Sequence, residues 1–123
     1  MTALSHARQA YAAAAAPIRT PRNTEYEVIS RITRRLRQAA QKGAAGFAEL
    51  AEALHENHRL WSLLAAQVAD EANALPRGLR AQIFYLAEFT HQHTPQVLAG
   101  RAGPEPLLDI NTAILRGLRN GEG

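Results

Sequence analysis

Residues 25–42 read EYEVISRITRRLRQAAQK, and this stretch decides the fold class of the chain. Its apolar residues recur every three or four positions, as they do on one face of an α-helix. They are Tyr26, Ile29, Ile32, Leu36 and Ala40. The opposite face carries Arg31, Arg34, Arg35, Gln38 and Lys42. The pattern predicts an amphipathic helix that begins at Pro21 and ends near Lys42, before Gly43.

Helical patterns continue through the rest of the chain, and no alternating β-branched run indicates a strand. We predict a third helix over residues 47–70, a fourth over 76–99, and a last one from the loop at 100–106 to about Arg119. The inner stripe of the third helix is Phe47, Leu50, Ala51, Leu54, Trp61, Leu64, Ala65 and Val68. That of the fourth helix is Leu79, Ile83, Leu86, Thr90 and Val97.

The chain is predicted to form one all-α domain over residues 1–123, a compact bundle of about five helices. A weakly apolar first helix over residues 2–15 and a linker would occupy residues 1–18. Residues 120–123 would form a disordered tail. The 46% hydrophobic content excludes a largely disordered chain.

Composition and motifs argue against catalysis. The chain has no cysteine, and it shows no Gly-rich phosphate loop, no serine elbow and no carboxylate pair beside a base. His55 and His58 are three residues apart, whereas the metalloprotease helix needs a spacing of four. We therefore expect no enzyme, no metal, no cofactor and no small-molecule substrate. No export or membrane segment is evident, so a cytoplasmic protein is expected.

Positive charge is concentrated in one segment. Residues 19–42 hold seven basic side chains against two glutamates, whereas the chain as a whole carries only +3. A solvated outer face explains such a pattern as well as a binding surface does. If it binds, an acidic protein is favoured over RNA, because RNA-binding surfaces usually add exposed aromatic residues. The candidate contacts are Arg19, Arg22, Arg34 and Arg35.

Two further groups of residues are candidates for partner binding. Asn57 and Asn111 each interrupt an apolar stripe. Because an unpaired buried amide is costly, each needs a partner: the favoured reading is that they satisfy backbone groups in the core, and the alternative is that they line a groove for a partner. Outside the main stripes of their helices lie four large apolar residues, which would form a groove or patch. These are Leu60, Leu63, Phe84 and Tyr85.

Several blocks of sequence together resemble the FlaF family of flagellar biosynthesis regulators, from about Tyr11 to Leu118. The blocks are Arg19-Thr20-Pro21-Arg22, Glu25-Tyr26, Arg34-Arg35-Leu36, Asn57, Leu60-Trp61, Asn73, Leu75-Pro76, Ile83-Phe84-Tyr85-Leu86-Ala87-Glu88-Phe89-Thr90, Leu108-Asp109-Ile110-Asn111 and Arg116-Gly117-Leu118.

The resemblance implies a small helical protein that binds flagellin like a secretion chaperone and couples flagellin synthesis to export and filament assembly. It also implies action alongside a second regulator, FlbT, and it carries over no catalytic residue. Two alternatives stay open. One is an RNA-binding regulator of flagellin mRNA, and the other is a protein that acts mainly by docking FlbT.

Overall fold

The computed structural model describes residues 21–121, and this part of the chain is all-helical. Its helices are α1 (Pro21–Gln41), α2 (Phe47–Ala69), α3 (Arg77–Leu98) and α4 (Glu105–Gly121), with a short 3-10 turn, Gly43–Gly46, between α1 and α2. They match the predicted second to fifth helices, which confirms the all-α class. The predicted first helix and linker lie outside the described residues, so four helices stand where about five were expected. The last helix continues to Gly121, into the predicted tail.

The helices form an antiparallel bundle in which α2 packs between α1 and α3. The fourth helix packs mainly on α1 and touches α3 over a short stretch. Along α1, Leu36 shares a cluster with Leu107 whereas Ile29 shares one with Ile114, so α1 and α4 run in opposite directions. Within the described residues, the backbones of α1 and α3 are not in contact, and the two helices lie diagonally opposite each other in the bundle.

Glycines with positive φ end two of the helices. Gly43, with φ of +62°, ends α1, and Gly100, with φ of +75°, follows α3. At the second site the Gly100 amide donates to Val97 O at 3.0 Å and the Arg101 amide donates to Gln96 O at 2.9 Å. These are the two bonds of a Schellman motif, which satisfy carbonyls that the helix end leaves free. The sharp stop lets α4 turn back onto the bundle.

Side-chain hydrogen bonds hold the turn between α2 and α3. Asp70 Oδ1 accepts from the Ala72 amide at 2.9 Å, and Asn73 Oδ1 accepts from the Leu75 amide at 2.9 Å. From α3, Arg80 donates to two backbone carbonyls at the end of α2, Val68 O and Asp70 O. These bonds replace helix partners that the last turn of α2 lacks, so they fix how α3 leaves α2.

The core consists of two apolar clusters. The first contains Ile29, Ile32, Leu60, Trp61, Leu64, Val68, Ile83 and Ala87. The second contains Leu36, Ala53, Leu54, Val97 and Leu107. Because each cluster draws on at least three helices, apolar burial holds the bundle together along its length.

A layer of buried polar residues, one from each helix, lies between these clusters. Its members are Thr33, Asn57, Thr90 and Asn111. Asn111 is the hub, because its Oδ1 accepts from Trp61 Nε1 at 2.9 Å and its Nδ2 donates to Asn57 Oδ1 at 2.8 Å and Thr33 Oγ1 at 3.1 Å. Thr33 donates onward to Ile29 O at 2.7 Å. We call these four residues the polar layer.

Some stripe assignments from the sequence were wrong. Leu60, expected outside the main stripe of its helix, is 7% exposed and belongs to the first cluster. The reason is that α2 has neighbours on two sides, α1 and α3, and therefore buries a wider face than one stripe. Conversely, Phe47 and Leu79, expected in inner stripes, are exposed in the first turns of α2 and α3.

We predict that Asn111→Ala lowers the free energy of unfolding by about 2–5 kcal/mol, since it leaves the Trp61 N–H and the Asn57 carboxamide buried without a partner. Equilibrium urea denaturation measures this. The matched control is Thr112→Ala on the same helix, whose hydroxyl bonds only to Leu108 O and whose loss should stay below about 1 kcal/mol. Equal losses for the two variants would contradict the role of the hub.

Candidate functional site

The basic face of α1 divides into paired and unpaired side chains. Arg35 forms an ion pair with Glu56 on α2 and lies 3.9 Å from Glu52, measured from Nη2 to Oε2. Lys42 Nζ donates to Glu49 Oε2 at 2.6 Å. These two cations therefore face the seam between α1 and α2, where carboxylates neutralise them. Arg35, a predicted partner contact, is already engaged within the bundle.

Three other arginines of α1 stay exposed and have no ion pair with any described residue. They are Arg31, Arg34 and Arg37. Between Glu27 and Glu49 the chain has no acidic residue, so no carboxylate on α1 itself follows them. We call these three the arginine row. Of the other predicted contacts, Arg22 lies in the first turn of α1, and Arg19 lies outside the described residues.

A shallow cleft of about 370 Å³ follows the seam between α1 and α2. Its lining residues are Arg35, Gln38, Gln41, Lys42 and Glu49. The charged groups in this lining are those already paired across the seam, so the cleft offers no free cation or anion to a ligand.

Exposed aromatic side chains mark a different surface, the outer face of α3. Phe84 is 43% exposed and Tyr85 is 67% exposed. The core contacts of α3 come from Ile83, Ala87 and the buried positions that follow them, so neither aromatic ring is needed to fill the core. Leu63, the remaining predicted anchor, is half-buried and packs against the first cluster. We call Phe84 and Tyr85 the aromatic pair.

The structure does not assemble the predicted groove between the third and fourth predicted helices, α2 and α3. Of its four anchors only the aromatic pair is exposed, since Leu60 is in the core and Leu63 packs against it. Asn57 and Asn111 are fully buried in the polar layer and bonded to each other. Their burial excludes them as exposed partner contacts and confirms the favoured placement in the core. The expected backbone partners were wrong, because the bonds of both residues are to side chains.

Three histidines lie together where α2 meets α3. The rings of His58 and His91 have centroids 4.3 Å apart, and His55 is one turn before His58. Ser62 Oγ donates to His58 O at 3.0 Å and lies 3.2 Å from His91 Nε2, which therefore donates to it. Burial lowers the pKa of His58 below its ordinary value of 6.5, and the positive charges of His91 and His55 lower it further.

Within residues 21–121 no three His, Asp or Glu side chains are arranged to hold a metal ion. In the same part of the chain, no helix combines the length and the apolar character needed to span a membrane.

The family model of the flagellar protein FlaF matches residues 7–118. The chain belongs to the FlaF family. This match confirms the resemblance seen in the sequence blocks, and it places the protein in a flagellar context. Among curated proteins and solved structures, none matches the chain significantly.

Most blocks that carry the FlaF resemblance have a structural role in this bundle. Asn57 and Trp61 each bond to Asn111 in the core, and Asn73 holds the turn after α2. Other residues of these blocks are exposed, and they include the aromatic pair and Arg34. Exposed residues of the blocks are available to a partner of this FlaF-family protein.

Sequence reasoning named Arg34 and Arg35 together as candidate contacts and did not separate the cations that pair with α2 from those that stay unpaired among the described residues. The pattern of acidic residues held the signal needed to separate them. Glu49, Glu52 and Glu56 are three and four residues apart, which puts them on one side of α2. Only cations on the side of α1 that faces α2 can reach these carboxylates. Cations on the opposite side of α1 therefore have no ion pair with α2.

We predict that the protein loses stability as the pH falls through the titration range of His58. Because its folded pKa is depressed, the unfolded chain binds the proton first, so neutral His58 favours folding above pH 6.5 and this contribution disappears below the folded pKa. Urea midpoints between about pH 8 and pH 5 should fall less in His58→Gln than in the unmodified protein. The control is His93→Gln, on another side of α3. If His93→Gln flattened the profile equally, the assignment to His58 would be wrong.

Proposed function

We propose that this protein binds flagellin monomers as a chaperone-like factor and couples flagellin synthesis to export and filament assembly. The observation that carries the proposal is the aromatic pair, two adjacent exposed rings on a FlaF-family bundle. Flagellin is the family's expected ligand, and its helical terminal segments present apolar faces that need cover before export.

The aromatic pair suits such a ligand because large aromatic side chains dominate the energetics of many protein interfaces. Phe84 and Tyr85 lie one and two residues after buried Ile83, so they extend about 100° and 200° around α3 from the core. They therefore place two exposed aromatic rings on the outer side of one helix, where a partner helix can contact them, and exposed Glu88 lies one turn further along that side. Because Leu60 is buried in the core and Leu63 packs against it, the exposed rings favour docking along α3 over insertion between two helices.

The RNA-binding alternative gains no support from this geometry. Nonspecific binding of single-stranded RNA combines cationic groups with aromatic rings on which bases stack. Here the arginine row is on α1 and the aromatic pair is on α3, diagonally across the bundle. Docking of FlbT stays a prediction that no described contact favours.

We predict that the double variant Phe84→Ala, Tyr85→Ala weakens flagellin binding about tenfold or more, since a truncated interface anchor typically costs more than about 1 kcal/mol. Titration calorimetry with flagellin monomer at low and high salt measures the affinity. Binding by the unmodified protein should survive high salt and show a negative heat-capacity change, as expected for apolar burial.

The matched control is Gln82→Ala, which changes an exposed polar residue of the same helix on a different side from Phe84. Both variants should keep the free energy of unfolding within about 1 kcal/mol, because none of the three residues is buried. If the double variant Phe84→Ala, Tyr85→Ala folds and binds flagellin with unchanged affinity, the aromatic pair is not the flagellin-binding surface. No binding by the unmodified protein at either salt would reject flagellin as the direct ligand.

A further inference from the structure

The ion pairs within the bundle show which kind of group binds the cations in and directly after α1, namely glutamate carboxylates on a neighbouring helix. Arg35 on α1 and Lys42, the first residue after α1, are seven residues apart, and they pair with Glu56, Glu52 and Glu49, which are spaced along α2 in the opposite direction. One side of α1 is thus matched by an antiparallel helix that carries a carboxylate every three or four residues. Such spacing is the one that keeps side chains on one face of a helix.

The arginine row is a second line of cations, and it lies on the side of α1 that no described helix covers. Arg31, Arg34 and Arg37 follow one another at intervals of three and span about 9 Å along the helix axis. Neighbouring like charges at this spacing repel one another, and none of the three arginines forms an ion pair with a described residue. The guanidinium groups are free to bind carboxylates in the bidentate geometry that arginine favours.

We propose that the arginine row is a second docking surface, and that it binds a helical segment of a protein partner with carboxylates along one face. The partner segment would lie against the outer side of α1 as α2 lies against its inner side. Charge complementarity is the basis of recognition, so the surface contributes mainly to association rate and specificity.

This surface is separate from the aromatic pair. Arg34 is two residues before Leu36, which is fully buried, and Tyr85 is two residues after buried Ile83. Both therefore lie about 200° around their helices from the core. Since α1 and α3 face each other across that core, the two surfaces point in opposite directions and lie on the order of 20 Å apart. One protein can then hold two partners at once.

The proposal can be tested without flagellin. The probe is a helical peptide with glutamates at every third or fourth position on one face, and its matched control has glutamines in their place. We expect saturable binding of the acidic peptide and binding about tenfold or more weaker for the glutamine peptide, measured by fluorescence anisotropy at fixed salt. Saturable binding that does not discriminate the two peptides would overturn the proposal, as would no binding.

The test variant is Arg31→Gln, Arg34→Gln, Arg37→Gln. The control is Arg59→Gln, Arg101→Gln, Arg116→Gln, which removes the same charge from exposed positions on other elements. We expect the first to lose about tenfold or more in acidic-peptide affinity and the second to stay within about twofold. Equal losses would mean that only net charge matters, and the docking surface would be rejected. Circular dichroism confirms that each variant keeps its helices.

Two further arms test whether the arginine row binds independently of the aromatic pair and whether its ligand is a protein. The variant Phe84→Ala, Tyr85→Ala should bind the acidic peptide with unchanged affinity, and a loss there would merge the two surfaces into one and overturn the proposal. A single-stranded RNA oligonucleotide is the competing probe. Tighter binding of RNA than of the acidic peptide, abolished in the test variant, would assign the arginine row to nucleic acid instead.

Discussion

The hydrogen bonds of Asn111 are the constraint on which the rest of the bundle depends. One carboxamide on α4 accepts from Trp61 on α2 and donates to Asn57 on α2 and Thr33 on α1. Slipping a helix along its axis would leave these buried groups without partners, whereas apolar clusters tolerate rearrangement more readily. We infer that the polar layer fixes the register of the helices and that the two apolar clusters supply most of the stability.

The polar layer is not fully satisfied within the described residues. Asn57 Nδ2 and Thr90 Oγ1 are both buried and have no hydrogen-bond partner there. An unpaired buried group of this kind costs about 1–3 kcal/mol, comparable to what a single hydrogen bond contributes. The packing of α3 on α2 offsets this cost, since these two helices share the most extensive interface in the described bundle.

Register determines which side chains face outward and so links the core to function. With Leu36 and Ile83 buried, helical periodicity turns Arg34 and Tyr85 away from the core on opposite helices. The side of α1 toward α2 is filled by ion pairs, and its outer side keeps the arginine row. The buried residues of α1 and α3 therefore determine which residues of these helices are exposed for a partner. Neither the arginine row nor the aromatic pair is part of the core.

The sequence was sufficient for the existence and type of the four described helices and for the limits of the first three to within one residue, because amphipathic spacing and glycine stops are local signals. The last helix begins at Glu105, inside the predicted loop, and ends at Gly121, inside the predicted tail. The sequence was insufficient where burial depends on neighbours. Leu60 is buried because α2 touches two helices, and Phe47 and Leu79 are exposed in the first turns of their helices. The burial of Asn57 and Asn111 followed from a general rule, but their side-chain partners did not, and Thr33, which bonds to Asn111, carried no signal in the sequence.

The central claim is that the bundle presents two independent partner surfaces, with flagellin on the outer face of α3. A photo-crosslinking amino acid placed at Tyr85, or at Arg34, in cells that assemble flagella tests it most directly. The account predicts a flagellin adduct from position 85 and, from position 34, an adduct of different mass that contains no flagellin. Flagellin captured from position 34, or from both positions equally, would contradict it.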